Sequence, residues 1–207
     1  MASLITTEDK QINKTKSTLN KYWKKFKGNS NVVGFYKPDH PRLGCLSNFY
    51  IHDPQIFTVP NFCWGTTMQA SGLSQSVNVK YSEKSIMLCK ASLMNDPESY
   101  QKIIDSTNPE DTKSLGRKVK PWDQKKWNDY VYLIAKEVIK QKFSKLNKER
   151  RHLLGTGNCI LAEATSNDCI WGIGLNVNDP NVRNISKWNG KNMLGWALME
   201  VRNELTW

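Results

Sequence analysis

Glu83 and Lys90 stand seven residues apart in this chain of 207 residues. On a helix that spacing is two turns, so a carboxyl group and an amine project from one face with Met87 between them. An ordinary solvated helix face gives the same pattern, because exposed Glu and Lys are common. The functional reading requires burial. Removing both groups from water disfavours their charged forms, which makes a glutamate a usable acid and a lysine a nucleophilic amine.

A second group of residues lies in NDCIWGIG, 167–174, where Asp168 and Trp171 precede Gly172 and Gly174. The indole offers a stacking plane, the carboxylate an acceptor, and the glycines permit close backbone approach to a ligand. A turn built around a core tryptophan fits the same residues, and two glycines without a third are no dinucleotide fingerprint. LGTGN, 154–158, lacks the Lys and Ser/Thr of a phosphate-binding loop and reads as a glycine helix stop. Arg117 in LGRKV either clamps a phosphate with its planar fork or is a plain surface arginine. Ser47, Asn48 and Phe49 join two small polar hydrogen bonders to a ring in what composition alone makes a loop.

These residues need elements to hold them. Glu83, Met87, Lys90, Ala91 and Met94 fall at helical spacing, with Ser82 as the expected N-cap and Pro97 closing the run. Helices are expected from Pro97 to Asp105, from about Asn108, and from near Asp123 for about five turns through Trp127, Val131, Ile134, Val138 and Phe143. Two more are expected over Lys148 to Leu154 and through Leu194, Ala197, Leu198, Val201 and Leu205. Val32 to Tyr36 reads as a strand, and residues 53–80 as strand and loop. The fold class that follows is mainly α (α+β): one compact multihelical domain, 31–207, with a few short strands in its N-terminal third. Ahead of it, residues 1–30 form a basic extension, with a short amphipathic helix expected over Ser17 to Lys27.

Composition narrows the function classes. Apolar residues make up 39% and aromatic residues 10%, too many for a disordered chain. No run approaches the length of a membrane span and the first residues lack the apolar stretch of a secretory signal, so an intracellular protein with no membrane partner is expected. Five cysteines without a CxxC pair read as free thiols, and three histidines lack metal-site spacing, so no metal is expected. The formal charge of +11 is spread along the chain and suits a phosphate-bearing nucleotide or nucleic-acid partner, although a lysine-rich proteome would produce it too.

The order of blocks along the chain adds a resemblance. GCLSNFY, E-x-x-x-M-x-x-K-A, LGRKV, KF, LLGTGN, LAEA, D-x-I-W-G-I-G and WNGKNMLGWALMEVR together resemble the NADAR (YbiA-like) family over roughly Gly34 to Leu205. The C-terminal blocks are the most specific. The resemblance implies a compact, mainly helical fold and a cofactor-independent N-glycosidase. Its substrate would be ADP-ribose attached to guanine of nucleic acid or a phosphorylated ribosylaminopyrimidine of riboflavin synthesis. It also matches Glu83 and Lys90 to the family's Glu and Lys, and Asp168, Trp171, Trp127 and the Ser47–Phe49 loop to its pocket positions.

In that chemistry a carboxyl group protonates the leaving nitrogen or ring oxygen, and a neutral amine can condense with C1 as a Schiff base. Glu83 is then the acid/base, Lys90 the nucleophile and Asp168 the group orienting sugar or water. Trp127 and Trp171 would stack, and Arg117 would meet phosphate. ADP-ribosylated guanine is the favoured substrate, because the chain is basic throughout; the base would enter unpaired, from single-stranded nucleic acid. The alternatives are the riboflavin intermediate and a non-catalytic ADP-ribose reader. The chain departs from the family pattern in EKSIMLCKA around the glutamate, in Asn158, and in an irregular 57–80 segment.

Overall fold

The computed structural model describes residues 31–206. The expected N-terminal helix and the 1–30 extension lie outside the described residues. In chain order the elements are β1 (Val32–Phe35), a short 3-10 turn (Gly44–Leu46), β2 (Gln55–Thr58), α1 (Thr66–Ala70), β3 (Ser76–Val79), α2 (Ser82–Leu93), α3 (Pro97–Asp105) and α4 (Pro109–Gly116). There follow α5 (Gln124–Lys145), α6 (Asn147–Leu154), β4 (Ile160–Glu163), two further 3-10 turns (Pro180–Arg183 and Ile185–Lys187) and α7 (Met193–Leu205). The mainly helical reading holds.

Local chemistry starts these helices. Asp96, Asn108 and Asp123 each accept a backbone N–H from the first turn of α3, α4 and α5, and Pro97 and Pro109 fill first-turn positions whose N–H would have no helical partner. Helix α2 differs from expectation at its start. Tyr81 occupies the N-cap without a side-chain hydrogen bond, and Ser82 is the first helical residue.

The strands are short and form two pairs. β2 and β3 are antiparallel, with Gln55 opposite Val79 and Thr58 opposite Ser76. β1 pairs in parallel with β4, Val32 opposite Ile160 and Phe35 opposite Glu163. β4 therefore lies far beyond the first third of the chain. A parallel pair needs a long crossover, and here almost the whole helical part supplies it. A short helix, α1, also interrupts the strand-and-loop region.

Apolar side chains gather into two clusters, one around β1, β4, α5 and α7 and the other around β2, β3, α2 and α3. α2 is buried on every side, and Lys90 is its one half-exposed residue. Such burial of a polar helix needs partners for its side chains. Lys84 Nζ donates to the carbonyls of Ile104 (2.6 Å) and Ser106 (2.8 Å), and Ser92 Oγ donates to that of Cys63 (2.7 Å). No helix among the described residues is long and apolar enough to cross a membrane.

Candidate active site

The first wall of the site is the start of α2. The Glu83 N–H, a helix-terminal donor, gives its hydrogen bond to the Asn48 carbonyl at 2.9 Å. This fixes the Ser47–Phe49 loop against the helix. The loop is held from behind by Lys142 of α5, whose fully buried Nζ donates to the carbonyls of Cys45 (2.7 Å) and Ser47 (3.3 Å). Ser47 Oγ accepts the Phe49 N–H at 3.3 Å.

The opposite wall is the end of β4 and the turn at 168–172. Asp168 Oδ1 accepts the N–H groups of Ile170 (2.9 Å) and Trp171 (2.8 Å), so this carboxylate shapes the turn that carries the indole. A Cβ on Gly172 would come within 2.7 Å of the Glu163 carbonyl and 2.9 Å of the Asp168 carbonyl, so only glycine lets the turn lie against β4. Asn192 joins the two pieces. Fully buried and left-handed (φ 52°), it accepts from Glu163 N–H (3.0 Å) and donates side-chain Nδ2 to Leu161 O (2.8 Å) and backbone N–H to Gly172 O (3.0 Å).

Between the walls is a cavity of about 230 Å³. Glu83, Met87 and Lys90 line it from α2, Lys113 from α4 and Trp127 from α5, while Asn48, Glu163, Asp168, Ile170 and Trp171 complete it. Trp127 and Trp171 each pack against both apolar clusters, so the cavity lies on the seam between them. Wider concavities occur at Val32–Gly34 with 177–183 and at the α3–α4 surface, and neither is lined by an aromatic ring.

Burial sets the electrostatics. Desolvation pushes the Glu83 carboxyl up to about 7; the negative charge of Asp168 adds to the rise, while Lys113, Lys90 and Arg117 oppose it. Glu163 is raised to about 8, again first by desolvation and then by Asp168 and Glu83. The residue keeps some exposure at its other atoms, but Oε2 is enclosed and has no hydrogen-bond partner. Asn48 Oδ1 is enclosed in the same way. Desolvation and Arg117 lower Lys90, against the opposing charge of Glu83. Its Nζ lies 4.5 Å from the centroid of the Trp122 ring and 5.4 Å from that of Trp127.

Of the residues singled out in the sequence, Glu83, Lys90, Asp168, Asn48, Trp127 and Trp171 therefore meet around one cavity. Ser47, Phe49, Arg117 and Gly172 are not among its lining residues. Ser47 and Gly172 support the walls, Phe49 lies under Lys113 Nζ (5.4 Å to its ring), and exposed Arg117 acts on Glu83 and Lys90 through its field. Lys113, Glu163, Ile170 and Trp122 escaped the sequence reading. Lys113 stands four residues before Arg117, a helical spacing that could have drawn attention to it; Glu163 lies in the LAEA block, but a four-residue strand is too short to show which face is inward.

The arrangement can hold a proton on a carboxyl, present an amine whose charged form is disfavoured by burial, and offer the Asp168 carboxylate to a hydroxyl group beside two indoles. Among the described residues no group of three or more His, Cys, Asp and Glu is placed to hold a metal ion. Comparison with known proteins gives consistent relatives. A family model described as the NADAR domain matches residues 34–206. The chain is 37% identical over 126 residues to an N-glycosidase of Acanthamoeba polyphaga mimivirus, covering 59% of this chain and 72% of that protein. It is 26% identical over 173 residues to a riboflavin biosynthesis protein of Vibrio vulnificus, covering 84% of this chain and 38% of that one. The solved structure of the Escherichia coli protein YbiA superposes with a TM-score of 0.62 at 22% identity, over 86% of each chain, which shows a shared fold.

Proposed function

Since the chain belongs to the NADAR domain family, we propose that it is an N-glycosidase that hydrolyses the bond between ribose C1 and nitrogen, working at the cavity between α2 and β4. The observation that carries this reading is the enclosure of Glu83 and Lys90 in one cavity with two indoles, where desolvation moves the carboxyl up and the amine down. Such a pair can supply the acid and the nucleophile for cleaving an N-glycoside.

Protonated Glu83 delivers its proton to the ribose ring oxygen, the C1–O bond opens, and C1 becomes an iminium carbon still bonded to the leaving nitrogen. The neutral Lys90 amine adds to C1. The C1–N bond to the leaving group then breaks, the departing nitrogen takes a proton, and a Schiff base joins C1 to Lys90. Water adds to that Schiff base, the lysine leaves, and the freed aldehyde recloses to ribose. Asp168, whose Oδ1 already accepts two backbone N–H groups, orients sugar or water from the cavity wall.

The favoured substrate is ADP-ribosylated guanine in nucleic acid, supported by the +11 charge and by Lys113 and Arg117 near the cavity. A phosphorylated ribosylaminopyrimidine is the second reading, favoured by the likeness to a riboflavin biosynthesis protein. The test is incubation with ADP-ribosylated single-stranded DNA and, in parallel, the ribosylaminopyrimidine phosphate, following released ADP-ribose or ribose phosphate. Borohydride should trap substrate carbon on wild-type protein and not on Lys90→Ala. Cleavage of neither substrate, with ADP-ribose still bound, would leave a non-catalytic reader instead.

A further inference from the structure

We infer that Trp122, whose ring lies 4.5 Å from Lys90 Nζ, forms a stacking subsite for the planar aromatic leaving group, outside the cavity that takes the ribose. This rests on the proposed reaction at the same site. The cavity, at about 230 Å³, falls below the roughly 300–1,000 Å³ of pockets that enclose drug-sized ligands. A ribosyl unit fills such a space, so the group attached to C1 has to leave through the mouth.

The position of Lys90 says where that group lies. For attack, Nζ must come within roughly 3–3.5 Å of C1. The leaving nitrogen is bonded to C1, and the Trp122 ring centroid is 4.5 Å from the same Nζ. A ring attached through that nitrogen and directed to the Trp122 side of Lys90 comes within stacking distance of the indole.

Trp122 is suited to receive it. It precedes α5 and is 42% exposed, unlike Trp127 beside it, which is packed against both cores. Its ring tilts on Trp127 (5.9 Å between centroids) and its Nε1–H donates to Gln124 Oε1 at 3.3 Å, so its orientation is held while part of its surface stays open. Ile170, 48% exposed, lines the cavity from the 168–172 turn. Among the described residues only six large apolar side chains are exposed; Trp122, next to Lys90, and Ile170, which lines the cavity, are two of them. Stacking on an indole tolerates any base, because every base has a π-face. The subsite thus selects for a heteroaromatic leaving group without reading its identity.

The test compares Trp122→Ala and Trp122→Phe on an ADP-ribosylated guanine oligonucleotide and on a ribosyl adduct of a non-aromatic amide. With the aromatic substrate, Trp122→Ala should raise KM roughly ten-fold or more, Trp122→Phe should stay within about three-fold, and KM for the ringless adduct should not move. An unchanged KM for the aromatic substrate overturns the subsite, and so does an equal loss on both substrates, which would mean that Trp122 acts only through Lys90. Calorimetric binding of guanosine monophosphate to wild-type and Trp122→Ala proteins decides the matter independently of turnover. If neither substrate is cleaved and guanosine monophosphate still binds wild type at least ten-fold more tightly than Trp122→Ala, the reaction is wrong and the subsite stands. Equal binding overturns it.

Discussion

At the scale of single residues, two carboxyl groups share one desolvated space. Desolvation raises both Glu83 and Glu163, Asp168 adds to each rise and Glu83 adds to that of Glu163, so the folded protein holds protons that the unfolded chain releases from about pH 4.5. A carboxyl raised on folding supports the fold fully below that value and ceases to do so as pH rises through about 7 for Glu83 and about 8 for Glu163. Stability should therefore decline from pH 5 to pH 8. Glu163→Gln should flatten that decline and stabilise the protein at pH 8 by ~1–2 kcal/mol, read from urea midpoints at several pH values. The acid role gives a matching kinetic expectation: turnover falls as pH rises through about 7, and Glu83→Gln lowers kcat by roughly 10²–10⁴ at pH 6. A Glu83→Gln protein with the wild-type pH profile would remove this residue from the mechanism.

At the scale of elements, the site depends on how closely the helices and turns approach. A Cβ at Gly116 of α4 would meet Met87 Sδ at 1.9 Å and Cγ at 2.7 Å. Met87 is flexible, so Gly116→Ala should turn its side chain into the cavity between Glu83 and Lys90. The expected result is a large fall in kcat/KM with ~1–3 kcal/mol of lost stability. A loss of stability with unchanged kinetics would separate Met87 from the cavity's working shape. Asn192 governs the other wall. Asn192→Ala leaves the Glu163 N–H and the Leu161 carbonyl without their side-chain partner and should cost ~2–4 kcal/mol, measured by denaturation, since each buried orphan group costs ~1–3 kcal/mol. Asn192→Asp keeps the acceptor for Glu163 and should retain more activity than the alanine.

At the scale of the whole molecule, two apolar clusters meet along a seam, and Trp127 and Trp171 belong to both. A seam between cores encloses polar groups from each side while remaining open at one end. The net charge acts over the same scale, beyond any single contact. Binding of ADP-ribosylated single-stranded DNA should weaken as salt rises, with log K falling linearly in log salt at about 0.7 per phosphate neutralised. Affinity measured between 50 and 200 mM salt checks this, and a flat response would point to a small nucleotide as the substrate.

Caps and periodicity made much of this legible along the chain. α3 runs from Pro97 to Asp105 as its local signals require, and Asn108 and Asp123 cap the next two helices. Glu83 and Lys90 could be paired from their spacing alone, because two turns of helix place them on one face whatever surrounds it. Local sequence could not say that this face is enclosed. β4 pairs with β1 across more than a hundred residues, and Glu163 at its end meets Glu83, from a different part of the chain, only at the cavity. Lys113 and Trp122 join the site through helix packing and the path of a loop. Local geometry follows from neighbours in sequence. Desolvation, which decides whether these groups can react, depends on atoms brought together from distant parts of the chain.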